Sequence, residues 1–390
     1  MRGTDKKALV ILLGIVLLAF IGIFVVVFLW KDVGVAEVVK FTDLRKFINN
    51  VPKAGTDISH LDLRAQANAG EVLPFVQFNL NTVWPPKDKM PVGFDPLKVL
   101  EAAKNPGLGI EDLHKLGITG KGIGIGIMDL PIFTKNIEFK DRIKLYKPFG
   151  DTGIKAAANS CALVSALVGK SMGVAPEADV YYAAVAAEKL DVLCYSNAMD
   201  WFIELNNTLP KEKKIRIVVV PVAPDNVGEG DFDTPFKTNT EMWKIALKKA
   251  ADAGIVVFDL TKRKAVGSCW IDINNLNDFN AVQTGYPDKP DTDVLQNYVL
   301  MPTCPKTVAE EYIVGQTGYR YLPRTGAPFI VSFAAGLAAL GCQAAGYEKT
   351  SNMTISSFNE LFFKTAFVKK NGLKTNYIVN PKAFIEAIKK

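Results

Sequence analysis

Histidine is nearly absent: the 390 residues contain two, His60 and His114. Imidazole titrates near neutrality, so a reaction that needs a histidine base has only these two positions to draw on. His114 falls in the turn before Gly120, ahead of the first strand pattern, and His60 lies further upstream; both read as surface or packing residues. Cysteine is scarce and badly spaced for a metal. Cys161, Cys194, Cys269, Cys304 and Cys342 include no Cys-x-x-Cys pair, which argues against zinc. Their odd number leaves at least one thiol free in any disulfide scheme, and Cys161, Cys194 and Cys342 lie in apolar helical patterns that suit buried thiols. The net charge of +6 is spread along the chain, with no basic block interleaved with aromatics, so nucleic acid is not an expected partner. No compact carboxylate cluster marks a calcium site, and no cofactor is expected. Internal repeats and low-complexity tracts are missing as well.

What the chain does have is apolar residues, 49% of the total, with an uncharged run over 8–30. At about 1.5 Å per residue that run spans roughly 34 Å, enough to cross a bilayer as a helix. It is longer than the usual apolar core of a secretory signal, about 7–15 residues. Arg2, Lys6 and Lys7 before it, against one Asp5, predict an N-terminus inside and a body exported from the cytoplasm. The expected organisation is a tail over 1–7, a transmembrane helix over 8–30, a stalk and extension over 31–106, and a main domain over 107–390. Within the extension, Val38, Val39, Phe41, Leu44, Phe47 and Ile48 have helical spacing, and the later part is punctuated by Pro85, Pro86, Pro91, Pro96 and Pro106.

From Gly107 the pattern alternates. Short apolar runs at 123–128, 180–185, 215–220 and 255–258 read as buried strands. Between them, 157–168, 189–206 and 238–253 read as helices. Strand–helix alternation with strands apolar throughout predicts an α/β fold, a mainly parallel sheet between two helical layers. Further helices are expected over 328–345 and 356–366, and a last one starts at Asn380-Pro381, an N-cap followed by a proline at the first helical position.

Three stretches carry a resemblance. Gly120-Lys121-Gly122-Ile123-Gly124-Ile125-Gly126-Ile127-Met128-Asp129 comes first, followed by Leu130-Pro131. The second runs from Asn159-Ser160-Cys161 through Gly169 to Gly173-Val174-Ala175-Pro176-Glu177-Ala178. The third is Gly326-Ala327-Pro328-Phe329-Ile330-Val331-Ser332, continuing to Gly336 and Leu340. In this order they resemble the aspartate, histidine and serine segments of subtilisin-like serine peptidases, in a form closest to a bacterial subgroup. The resemblance covers about 105–390 and implies a three-layer subtilisin-like fold. It places Asp129 at the family's catalytic aspartate, Asn159 at its histidine, Pro328 at its serine and Ser332 at a family proline.

These substitutions bear directly on chemistry. An acyl-transfer triad needs a base that takes the serine proton and returns it to the leaving amine. An asparagine amide does not titrate and a proline carries no hydroxyl. Loss of either partner alone costs a subtilase on the order of 10^6 in turnover. The resemblance also implies a peptide-binding edge near Pro221-Val222-Ala223, where a proline supplies no N–H, and an oxyanion asparagine after 255–258, where Asp259-Leu260-Thr261-Lys262-Arg263 stands instead. Cys161, two residues beyond Asn159, points about 200° away on a helix; Ser160 and Ser332 have no visible base. The expectation is a membrane-anchored peptidase homologue without catalysis that binds a peptide or protein, with Asp129 bonded to Asn159 in a structural role. A rearranged hydrolase and a structural envelope protein are the rivals.

Overall fold

The apolar runs become strands because each is buried on both faces. A computed structural model describes residues 56–64, 76–90, 92–151, 153–185, 191–225, 236, 238–260, 265–284, 298–311, 317–371 and 374–390. These belong to one unit, Pro52–Lys390. The expected membrane span at 8–30 and the helical spacing at 38–48 lie outside the described residues.

Strand β1 (Phe78–Asn79) and helices α1 (Pro96–Ala102) and α2 (Ile110–Lys115) lead into the principal sheet. That sheet comprises β2 (Gly124–Asp129), β3 (Ile143–Phe149), β4 (Asp179–Val185), β5 (Ile215–Val219) and β6 (Val256–Phe258), in the order β3-β4-β2-β5-β6. All its pairings are parallel. Side chains alternate between two cores, as strand geometry requires. Ile125, Ile127, Val180, Tyr182, Ile217, Val219, Val256 and Phe258 share one core with α3 (Ala158–Val168) and the later helix α6 (Pro328–Ala345). Met128, Tyr181, Ala183, Val218, Val220 and Val257 share the other with α4 (Leu193–Thr208) and α5 (Glu241–Asp252). The predicted three-layer α/β arrangement is therefore present around this sheet.

Two further sheets were not apparent from the sequence pattern. Strands β7 (Val266–Ile271), β8 (Val282–Gln283), β9 (Val299–Cys304), β12 (Phe367–Asn371) and β13 (Lys374–Ile378) form a mixed sheet in the order β12-β13-β9-β7-β8. Strands β10 (Lys306–Glu311) and β11 (Thr317–Leu322) form an antiparallel hairpin, and β1 from the upstream region pairs with β11. That pairing is closed by Phe78, fully buried with its ring 5.0 Å from both Trp84 and Tyr321. Helices α7 (Tyr347–Thr350), α8 (Ile355–Lys364) and α9 (Pro381–Ile388) complete the chain. As expected, Asn380 caps α9, its side chain accepting from the Ala383 N–H at 3.1 Å. Helix α6 is long and apolar enough to cross a membrane by length and composition, yet its residues from Ile330 to Cys342 are buried in the protein core.

Candidate functional site

Asp129 is the last residue of β2, the middle strand of the principal sheet. In open parallel sheets the carboxyl ends of the strands are where ligands and catalytic groups gather. Its Oδ1 accepts the backbone N–H of Leu130 at 2.8 Å, and the Ser160 hydroxyl donates to the same carboxylate. Burial pushes the Asp129 carboxyl up to about 6, and these two hydrogen bonds pull the other way without cancelling it.

The expected Asp129–Asn159 bond is not how the helix meets the strand. Asn159 lies exposed in the first turn of α3, and Ser160, only 1% exposed, faces the carboxylate instead. One helical residue is a rotation of about 100°, which is the whole difference between the two side chains. The start of α3 is fixed by the Ala157 N–H, which donates to the Pro131 carbonyl at 2.7 Å. The Tyr182 hydroxyl closes the same corner by donating to the Leu130 carbonyl and bonding Ser160. Its ring stacks on Tyr146 at 5.5 Å with 6° between planes.

Pro328 opens α6 at its first helical position, with Ala327 as an N-cap that supplies no side-chain bond. Ser332, one turn on, is 1% exposed and donates to the Pro328 carbonyl at 3.3 Å, so its hydroxyl is spent inside the helix. Cys161 is buried, and burial pushes its thiol up to about 11, which keeps it protonated and unreactive at neutral pH. His114 is engaged with the backbone of the Gly173–Ala178 turn: its Nε2 lies 2.9 Å from the Val174 carbonyl, and burial lowers its pKa. His60 lies beside Asn79, ring nitrogen to amide nitrogen at 3.0 Å. Both histidines thus have packing roles.

The three segments carrying the resemblance meet at one turn. Gly173 donates to the Gly169 carbonyl at 2.8 Å, and Val174 and Ala175 donate back into α3. A Cβ on Gly173 would come within 2.5 Å of the Gly169 nitrogen. Gly120, at φ +81°, faces Ala175 so closely that an added Cβ would sit 2.9 Å from the alanine Cβ. From the other side, Gly336 of α6 lies against Val174, where an added Cβ would approach to 2.7 Å. The turn at Gly173–Ala178 is therefore the junction of the β2 approach, α3 and α6. The glycines of this motif are required by close packing that does not involve catalysis.

The segments expected to form a peptide-binding edge and an oxyanion hole are placed as follows among the described residues. Pro221 is buried, and the Val222 carbonyl accepts the Leu260 N–H at 3.0 Å, extending the β5–β6 pairing. Asp259 Oδ2 accepts the Trp243 indole N–H at 2.8 Å. The rest of the stretch where the resemblance implies an oxyanion asparagine, 261–264, lies outside the described residues. A cleft of about 530 Å³ opens away from Asp129, between β6, α5 and the start of α8, lined among others by Leu247, Val257, Val331, Met353 and Ile355. Asp129, Asn159 and Pro328 do not line it. Among the described residues no cluster of His, Cys, Asp and Glu could hold a metal ion. The buried Glu138, Glu310 and Glu311 were not legible as a group, because each is held by residues distant in sequence: Glu138 by Ser171 and Tyr319, Glu310 by Asn79 and Arg320, and Glu311 by Asn136.

No protein-family model and no curated protein matches the chain. Among solved structures it is similar to the prenylagaramide maturation protease PagA, at 12% identity and a TM-score of 0.48 over 72% of this chain and 98% of that one. It is also similar to a cold-adapted subtilisin-like serine proteinase, at 13% identity and 0.44 over 67% and 89%. A protease of Pseudoalteromonas arctica matches at 14% identity and 0.49 over 75% and 98%.

Proposed function

We propose that the chain is a subtilisin-like peptidase homologue without hydrolytic activity, anchored to a membrane through 8–30 and acting by binding a peptide or protein outside the cytoplasm. The observation that carries the catalytic half of this reading is the environment of Asp129. Its carboxylate is engaged by a buried serine and a backbone N–H, the adjacent Asn159 is exposed and cannot titrate, and Pro328 offers no oxygen nucleophile. The charge pattern around 8–30 supports the anchoring half.

A rearranged hydrolase draws support from one contact, the Ser160 hydroxyl on the Asp129 carboxylate. Two facts oppose it. Ser160 is 1% exposed, so a scissile carbonyl has no approach to it, and no imidazole is near to carry its proton. The experiment is turnover of casein and fluorogenic peptides by the full chain in detergent, with Asp129→Ala alongside. Background rates for both proteins are expected. Turnover by the natural sequence that Asp129→Ala abolishes would establish the hydrolase reading.

A further inference from the structure

The cleft beside β6 runs along an open edge of the principal sheet. Strand β6 ends that sheet, and among the described residues no strand pairs with its outer side. The Phe258 carbonyl accepts the Val220 N–H at 2.9 Å, and two residues on the Leu260 N–H donates to the Val222 carbonyl at 3.0 Å. Backbone groups alternate in direction along a strand, so Phe258 and Leu260 turn theirs toward β5 and Val257 turns its N–H and carbonyl toward the cleft. Val257 is 9% exposed, and backbone groups this deep are nearly always paired, in protein or with water. The opposite edge of the sheet is guarded: β3 carries Lys144, Lys147 and Pro148, residues that discourage a further strand. The run Ile255-Val256-Val257-Phe258 has neither charge nor proline.

The walls of the cleft specify what such a strand would carry. Leu247 lines it on the side where Val257 packs with α5, and Val331, Met353 and Ile355 line it on the side of the α6 core. Side chains of a strand alternate between two faces, so a segment laid along β6 meets apolar surface with every residue. The three residues of β6 span about 10 Å, which sets the paired stretch at three or four residues. The cleft volume of about 530 Å³ is within the usual range for a binding site. The charged residues lining it are Asp252 and Asp259, with no lysine or arginine among them. Asp252 ends α5 just before β6 begins, and Asp259 directly follows the carboxyl end of β6. Negative charge therefore stands at both ends of the edge.

We propose that the cleft takes an extended peptide segment of a partner protein, apolar over three or four residues and basic at both ends, as a sixth strand on β6. The inference rests on the reading of the chain as a peptide or protein binder and gives that binding a place. Main-chain pairing to Val257 supplies the attachment, and the two apolar walls and the flanking aspartates select the sequence. The place is separate from Asp129, Asn159 and Pro328, which do not line the cleft, and from the edge near Pro221-Val222-Ala223 that the peptidase resemblance implies.

The test uses the full chain in detergent and a biotinylated peptide, Lys-Val-Val-Val-Lys, carrying a benzophenone for photo-cross-linking. Its counterpart Glu-Val-Val-Val-Glu is the comparison. The expected result is a cross-link mapped by mass spectrometry to 247–259 or 351–356, stronger for the basic peptide. Val257→Pro removes the N–H that faces the cleft and leaves the bonds to β5 in place, so capture should fall about tenfold. Asp252→Lys, at an exposed position of α5, should cut the preference for the basic peptide about threefold. Equal capture by Val257→Pro, equal capture of the two peptides, or no cross-link at all would overturn the proposal. A cross-link elsewhere on the chain would overturn this cleft and leave the binding reading standing, whereas cleavage of the peptide would sink the reading itself. Should Val257→Pro fail to fold, the mapped position and Asp252→Lys still decide.

Discussion

A single residue of helix rotation separates the site the sequence suggests from the one that is built. Asn159 and Ser160 are neighbours, yet one is exposed and the other is the buried partner of Asp129. The position of Asp129 at a strand's carboxyl end was legible, because the apolar run before it stops there. Which of two adjacent polar residues faces it was not, since the phase of a helix is set by its packing. The buried carboxylates show the same limit. Glu310 in β10 is 1% exposed, accepts from Asn79 at 3.1 Å, and has Arg320 Nε at 3.2 Å from Oε1 without hydrogen-bond alignment. Burial pushes it up to about 7 from its ordinary value of 4.5, against the pull of Arg320. The folded chain then holds a proton that the unfolded chain has released between those two values, so stability falls as pH rises through that window. Asp129 contributes in the same direction between its ordinary 3.8 and about 6. The lowered His60 and His114 act oppositely at the acid end, so the comparison must isolate one group. Glu310→Gln, which keeps an uncharged side chain of the same shape, should remove roughly 2–3 kcal/mol of the fall between pH 5 and 8. Urea denaturation across that range measures it, and parallel pH curves for the two proteins would contradict the assignment.

At the scale of elements, strands and helices with a strong apolar pattern were readable and others were not. Strands β2, β4, β5 and β6 are central or doubly covered, so their sequences are continuous apolar runs, and their observed bounds lie within a residue or so of those expected. Strand β3 was missed because it is a sheet edge reading Ile-Lys-Leu-Tyr-Lys-Pro-Phe, where lysine and proline guard open hydrogen-bonding groups and hide the periodicity. Strand β10 was missed for the opposite reason: it buries Lys306, Thr307, Glu310 and Glu311, and nothing local in a charged run announces burial. The helix–helix contact at the Gly173–Ala178 turn gives the clearest structural test. Gly336→Ala places a methyl 2.7 Å from the Val174 Cβ, with the Leu167 side chain 3.3 Å away, in a region with no slack. Overpacking of this kind costs about 1–3 kcal/mol. A lower thermal midpoint is expected, and an unchanged one would mean that α3 and α6 do not meet there.

For the whole molecule, the packing of the glycine-dense segments and the chemistry of residues 159 and 328 are independent. The glycine-dense segments interlock β2, α3 and α6, and that packing is indifferent to whether residue 159 titrates or residue 328 carries an oxygen. The upstream segment is tied into the same body through β1 and Phe78, so it reads as part of the fold from residue 56 onward. The proposed reading requires that no serine of the domain be an activated nucleophile. The most direct measurement of that claim is intact-mass and peptide mapping of the full chain in detergent after exposure to a fluorophosphonate, which phosphonylates activated serines. The account predicts an unmodified chain, with Ser160 and Ser332 both unlabelled. An adduct at either serine that is lost in Asp129→Ala would contradict it.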